Sequence, residues 1–167
     1  ICFHMDTATE VGGDYYDYHI SDDGTLTIAI GDATGHGMKA GTMVSVIKSL
    51  FIADAAQTDI LPFFKKCSDT IKQMNLGNLY MALMLVKIKD NKLSASAAGM
   101  PPIYIYRQKT KLIEEMTLKG MPLGGGPDFP YKISEAKLNP GDTVLLMSDG
   151  FLELFNEKNE MLDYHKI

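Results

Sequence analysis

The sequence predicts an α+β domain built from antiparallel sheets, with its helices segregated into one stretch. Three observations predict it. Short apolar runs near both ends of the chain are punctuated by turn pairs such as Asp23-Gly24 and Asp90-Asn91. Between them, Gly35 to Asn75 switches to helical spacing. That stretch holds two helices in a row, whereas a parallel βαβ unit would alternate one helix with one strand.

In chain order, Ile1 to Met5 reads as a strand and Tyr15 to Ile20 as another. Ser21-Asp22-Asp23-Gly24 turns the chain, and Leu26 to Ile30 returns to deliver Asp32 at its end. The first helix spans Gly35 to Asp54, with Met38, Val44, Ile47, Leu50 and Phe51 at core spacing. The second spans Asp59 to Asn75. Asp59 is its N-cap, Pro62 lies in its first turn, and Phe63, Phe64, Cys67, Ile71 and Met74 share a face. Tyr80 to Ile88 turns into Lys92 to Ala98, and Ile103 to Arg107 turns into Leu112 to Met116. Gly120 to Pro130 is a glycine- and proline-rich loop. Tyr131 to Leu138 then turns at Asn139-Pro140-Gly141-Asp142 into Thr143 to Met147, whose run from Val144 is apolar on both faces and predicts a central strand.

With 167 residues the chain is long enough for one domain with a sizeable core. We expect residues 1–167 to form that single domain. The start at Ile1, inside a strand-like pattern, suggests a piece of a longer protein. Net charge is −5, so the surface repels DNA, RNA and anionic lipid. No apolar run reaches membrane-span length, which predicts a cytoplasmic domain without membrane contact of its own, whatever anchors the full-length protein. Cys2 and Cys67 lack metal-site spacing and read as two buried free thiols. The methionines Met43, Met81, Met84 and Met147 fall in apolar runs and read as core filler.

Three aspartates carry the chemistry. Asp14 follows Val11-Gly12-Gly13, Asp32 follows Ile28-Ala29-Ile30-Gly31, and Asp149 follows Leu145-Leu146-Met147-Ser148. None has an adjacent Lys or Arg. A carboxylate at the edge of an apolar core needs a cationic partner, and a cluster of such acids suits a hard divalent metal. Gly12 and Gly13 remove bulk just before Asp14, so backbone and metal can approach closely. The bend after Asp32 exposes backbone, which makes the Ala33 carbonyl a further oxygen ligand. Each acid alone also fits a turn or cap role; one metal centre explains all three together. His36 is a general-acid candidate, or equally a loop residue. Gly35-His36-Gly37-Met38-Lys39-Ala40 fits a dinucleotide fingerprint, but a second helix follows where that fold needs a parallel strand.

These residues also carry a family resemblance. Val11-Gly12-Gly13-Asp14-Tyr15-Tyr16-Asp17, Gly31-Asp32-Ala33-Thr34-Gly35-His36-Gly37, Ala98-Gly99-Met100-Pro101-Pro102, Met121-Pro122-Leu123-Gly124 and Ser148-Asp149-Gly150 occur in this order over nearly the whole chain. The set resembles SpoIIE-like serine phosphatases, the bacterial sigma-regulator branch of the metal-dependent PPM (type 2C) protein phosphatases. The resemblance implies a four-layer α/β/β/α sandwich with two central antiparallel sheets, here lacking the family's C-terminal helix and strand. It implies two Mn²⁺ or Mg²⁺ ions, with Asp32 bridging both, Asp149 on one, the Ala33 carbonyl on the other, and Asp14 bound directly or through water. Asp14, Asp32 and Asp149 would thus act through a metal-activated water attacking phosphorus.

The implied substrate is phosphoserine or phosphothreonine in a regulatory protein, such as an antagonist of an anti-sigma factor. The helix pair resembles the one that carries regulatory input in this branch, and dimerisation would come through the full-length protein. Three departures stand out. The family's final strand with its Asp-Asp pair is not in this chain, Met100 replaces the usual His or Asn, and Thr7 to Val11 contains no Arg. Two other readings compete: a signalling module that keeps the fold and binds a partner without turnover, and a nucleotide-binding domain.

Overall fold

The computed structural model describes residues 1–5, 11–55, 59–126, 128–152 and 154. Eight strands and three helices run in the order β1 (Asp14–Ile20), β2 (Leu26–Ala33), α1 (Met38–Asp54), α2 (Ile60–Met74), β3 (Met81–Lys89), β4 (Lys92–Ala98), β5 (Ile103–Arg107), β6 (Leu112–Met116), β7 (Ser134–Lys137), β8 (Thr143–Leu145) and α3 (Asp149–Leu152). The strands form two sheets, a five-stranded one in the order β1-β2-β3-β4-β7 and a three-stranded one in the order β6-β5-β8. Every pairing is antiparallel. The predicted α+β class therefore stands.

Alternation along β2 and β3 divides the core in two. Residues such as Ala29, Leu83 and Leu85 point to the helices and pack with Met43, Ile47, Phe51, Phe63, Phe64 and Cys67. Their neighbours Met84 and Val86 point to the other sheet and pack with Leu93, Ala95, Ile103 and Ile105. The layers are thus helix pair, five-stranded sheet, three-stranded sheet. On the far face of the small sheet, Tyr104 and Met147 make a separate buried cluster. The expected fourth layer of helix is not seen among the described residues. Met43, Met81, Met84 and Met147 are all buried, as their apolar runs predict.

The turns have the predicted chemistry. Asp90 and Asn91 both take positive φ, 49° and 62°, as a two-residue hairpin joining β3 to β4 requires. Asn75 ends α2 in the left-handed conformation at φ 50°. Asp59 occupies the N-cap position of α2, but its side chain makes no capping hydrogen bond; its backbone carbonyl accepts from the Phe63 N–H at 3.1 Å.

Several expectations are corrected. Ile1 to Met5 forms no strand; instead the Phe3 ring stacks on Tyr16, with centroids 4.6 Å apart. Met38, expected in the core, is 86% exposed, because α1 begins there and its buried stripe is Ala40, Met43, Ile47 and Phe51. Cys2 is exposed and only Cys67 is buried. Among the described residues, the strand at Thr143 is an edge of the small sheet, not its centre, and Leu145 is exposed. Nor do β7 and β8 pair with each other. The Asn139–Asp142 turn carries the chain from one sheet to the other.

That turn is held by Asp142. Its carboxylate accepts from the backbone N–H of Asn139 at 3.0 Å and of Gln108 at 3.1 Å, and from Arg107 Nη1 at 2.8 Å. Arg107 also donates to the Lys137 carbonyl and to Glu114. The Arg107 guanidinium, with the Asn139 and Gln108 amides, lowers the Asp142 pKa to about 2.

Candidate metal centre

The register of β1 on β2 places Asp14 directly opposite Asp32. Directly opposed residues share a face, so both carboxylates stand on the side of the sheet that looks toward the second sheet. That face continues inward through Ile30 and Ile28, which are partly buried against the inter-sheet core. The acids therefore sit at the rim of the sandwich, where the apolar face ends. Asp14 is the first residue of β1 and Asp32 the penultimate residue of β2.

Gly13 makes the close approach that its position before Asp14 predicts. A Cβ there would lie 2.2 Å from the Ala33 carbonyl oxygen and 2.7 Å from Asp32 Oδ1. No side chain fits there, so the strand ends approach this closely only because residue 13 is glycine. The Ala33 N–H donates to the Gly13 carbonyl at 2.9 Å and ties the two strand ends together. Ala33 is itself buried, and it ends β2; the bend begins one residue later than the sequence suggests.

The third acidic segment arrives from the small sheet. An ideal Cβ on Gly150 would lie 4.0 Å from Asp14 Oδ2 and 3.8 Å from Ser148 Oγ. The Ser148–Gly150 turn thus reaches Asp14 from across the sandwich. Asp149 is exposed and opens the single turn α3, four residues beyond the end of β8. Among the described residues, no three His, Cys, Asp or Glu side chains are grouped closely enough to hold a metal by themselves. The oxygen set is therefore two opposed carboxylates, a backbone carbonyl beside them, and a third acid on an adjoining turn.

That set fits a hard divalent cation. Such ions take oxygen ligands, and Mg²⁺ in particular keeps several waters while using one or two carboxylates. The close packing of Gly13 against the Ala33 carbonyl brings the ends of β1 and β2, and with them the two acids, together. The two acids also repel when no cation lies between them.

His36 is exposed in the bend between β2 and α1. Its neighbour Gly37 has φ 78° and donates its N–H to the Val11 carbonyl at 2.9 Å, so the loop before β1 rests on the start of α1. Because β2 and β3 run antiparallel, Gly35 to Ala40 does not open a βαβ unit, and the dinucleotide-fingerprint reading fails on topology. Arg107 is the chain's only arginine, and it is engaged at the Asp142 corner. The pairing of Tyr106 with Thr143 and Tyr104 with Leu145 puts Arg107 at the opposite end of the small sheet from Ser148 and Asp149. Arginine is thus not the phosphate-binding group of this site.

Sequence reasoning missed one feature of the site. Thr34 donates both its N–H and its hydroxyl to the Tyr80 carbonyl, at 3.0 and 3.1 Å. A hydroxyl residue just after an acidic strand end is its only local signal.

This arrangement of two antiparallel sheets with a helix pair is also the fold of PP2C-type domains. The SiaA PP2C domain of Pseudomonas aeruginosa superposes with a TM-score of 0.77 at 23% identity, over 93% of this chain and 63% of that one. The RsbU and RsbW domains of Rv1364c from Mycobacterium tuberculosis give 0.75 at 23% identity, over 93% and 44%. RsbX, crystallised with magnesium, gives 0.70 at 19% identity, over 86% and 69%.

The family itself follows from sequence. The profile of Stage II sporulation protein E (SpoIIE) matches residues 22–166, and the chain belongs to that family. A curated relative is the phosphoserine phosphatase RsbU of Bacillus subtilis, 29% identical over 155 residues, or 90% of this chain. The match spans only 45% of the length of RsbU. By class, then, this is a SpoIIE-family domain with the fold of PP2C-type domains.

Proposed function

We propose that residues 1–167 form one phosphatase domain of a longer signalling protein, which hydrolyses phosphoserine or phosphothreonine in a regulatory protein. The observation that carries this reading is the pairing of Asp14 with Asp32 beside the Ala33 carbonyl, with the Ser148–Gly150 turn against Asp14. Asp14, Asp32, the Ala33 carbonyl and Asp149 would hold two Mn²⁺ or Mg²⁺ ions. When bound, such ions supply Lewis acidity toward a phosphoryl oxygen and lower the pKa of a water nucleophile. The chain's own contribution is placement. β1 and β2 fix two carboxylates in register, Gly13 lets the strand ends pack closely, and the exposed bend at His36 leaves the rim accessible to a protein-borne phosphate.

The acidic surface, at net charge −5, repels phosphate, so local cations are needed to draw the substrate in. With the sole arginine engaged elsewhere, charge neutralisation falls to the ions and to backbone N–H groups. The likeness to RsbU, named a phosphoserine phosphatase, supports serine as the phosphorylated residue. The partner in this reading is a phosphorylated regulatory protein, such as an antagonist of an anti-sigma factor. No helix among the described residues is long and apolar enough to cross a membrane.

A second reading keeps the fold without turnover. It is favoured by the absence, among the described residues, of three grouped acidic or histidine side chains. Release of phosphate from a phosphoserine peptide separates the two. We expect release that depends on manganese and is lost in Asp32→Asn. Absence of release from the full-length protein at saturating manganese would favour the binding module.

A further inference from the structure

We propose that Thr34 is a positioning residue that holds the Ala33 carbonyl toward the acidic pair by a double hydrogen bond to the Tyr80 carbonyl. This rests on the metal-centre reading and assigns a residue that supports it. Ala33 C=O and Thr34 N–H belong to one rigid peptide plane and point in opposite directions. The N–H donates to Tyr80 O, on the β3 side, at 3.0 Å. The carbonyl must therefore face β1, where its oxygen lies 2.2 Å from the place a Gly13 Cβ would occupy. A rotation of this plane would turn the oxygen away from β1.

The plane sits where the β2 ladder stops, and strand ends fray. A second bond at that point is what keeps one orientation. Thr34 Oγ1 supplies it, donating to the same Tyr80 oxygen at 3.1 Å. The acceptor is itself braced. Tyr80 precedes Met81, whose N–H donates to Leu123 O at 3.1 Å and whose carbonyl accepts from Leu123 N–H at 2.8 Å. Met81 and Leu123 are fully buried. The anchor is thus part of the core, while Thr34 is exposed. An exposed hydroxyl that lost this partner would bond to water at little cost. Its bond to Tyr80 therefore matters for geometry at Ala33 more than for stability.

The test compares Thr34→Val, which keeps the β-branch and removes the donor, with Thr34→Ser, which keeps the donor. Manganese binding is measured by calorimetry, and amide hydrogen exchange at Ala33 and Thr34 is measured without metal. The proposal predicts that Thr34→Val exchanges faster at these amides and binds manganese about tenfold more weakly, the loss of roughly one hydrogen bond. Thr34→Ser should stay within about twofold of the wild type, and both variants should melt normally without metal. Unchanged exchange and unchanged affinity in Thr34→Val would overturn the role of Thr34. A wild-type chain that binds no manganese, while Thr34→Val still exchanges faster, would instead overturn the metal centre, and with it the function assigned to the brace.

Discussion

Asp14 and Asp32 face each other across the β1–β2 ladder, on the same side of the sheet, with the Ala33 carbonyl one residue further along. Like charges placed opposite each other in a sheet destabilise it, typically by ~0.2–1 kcal/mol. Such an arrangement makes sense when a cation joins the pair. We predict that Asp14→Asn raises the metal-free melting temperature by ~1–4 °C, and that Asp32→Asn weakens manganese binding by at least about tenfold. Asp149→Ala should likewise leave the fold intact and cost metal affinity. Thermal melts with and without manganese check both. A large drop in metal-free stability would mark either aspartate as structural.

Gly13 offers a sharper substitution. The atom nearest to an added Cβ is a backbone oxygen, at 2.2 Å, so no side-chain rotation can relieve the clash. Gly13→Ala should destabilise the protein by ~1–3 kcal/mol, as overpacking does, and should reduce manganese affinity together with any phosphate release. Denaturant melts and metal titration measure the two effects separately.

The Asp142 corner predicts an acid dependence. Arg107 and the turn amides hold the Asp142 carboxyl at about 2, below the ordinary carboxylate range. A group whose pKa is lower folded than unfolded binds more protons when unfolded. Its stabilising effect is present above pH ~4 and is lost as pH falls toward ~2. In Asp142→Asn this part of the acid unfolding profile should disappear, which unfolding curves between those pH values would reveal. An unchanged profile would remove Asp142 from the account of acid stability.

The two cysteines should differ. Cys67 is buried between helix and sheet, and burial with nearby Asp54 pushes its thiol up to about 12. Cys2 is exposed. Since the thiolate is the reactive form, native protein at pH 8 should react quickly with one equivalent of a thiol reagent, and with a second only on unfolding. Peptide mapping should place the fast adduct on Cys2.

Among the described residues, two hydroxyls lie buried without a partner, Thr27 Oγ1 and Ser96 Oγ. A buried polar atom without a hydrogen bond carries a desolvation cost that an apolar replacement avoids. Thr27→Val and Ser96→Ala should each be neutral or stabilising, by up to about 1 kcal/mol in equilibrium unfolding.

Much of this was legible in the chain, for local reasons. β4, β5 and β6 run where alternation and turn residues put them, since Asp90-Asn91 and the residues around Lys109 settle their hairpins. Asp32 and Gly13 were legible because a glycine beside an acid at the end of an apolar run is a pattern of only a few residues. The misreadings have another cause. β8 is as apolar as a central strand, yet among the described residues it forms an edge, because apolarity records what a strand can bury and not which neighbours cover it. Met38 has core chemistry, but the start of α1 is set by the Gly37 bend, which leaves it outside. The Asn139–Asp142 turn would suit a hairpin, but the Asp142 side chain bonds back to Arg107 and the strands part into different sheets. The Thr34 to Tyr80 link joins residues 46 apart in sequence, beyond the reach of any local pattern.

Anomalous diffraction at the manganese edge, from crystals soaked in manganese, addresses the central claim most directly. The account predicts peaks bounded by the carboxylates of Asp14 and Asp32 and the Ala33 carbonyl, weakened or absent in Asp32→Asn. Empty density there at saturating manganese, in protein that still releases phosphate, would contradict it.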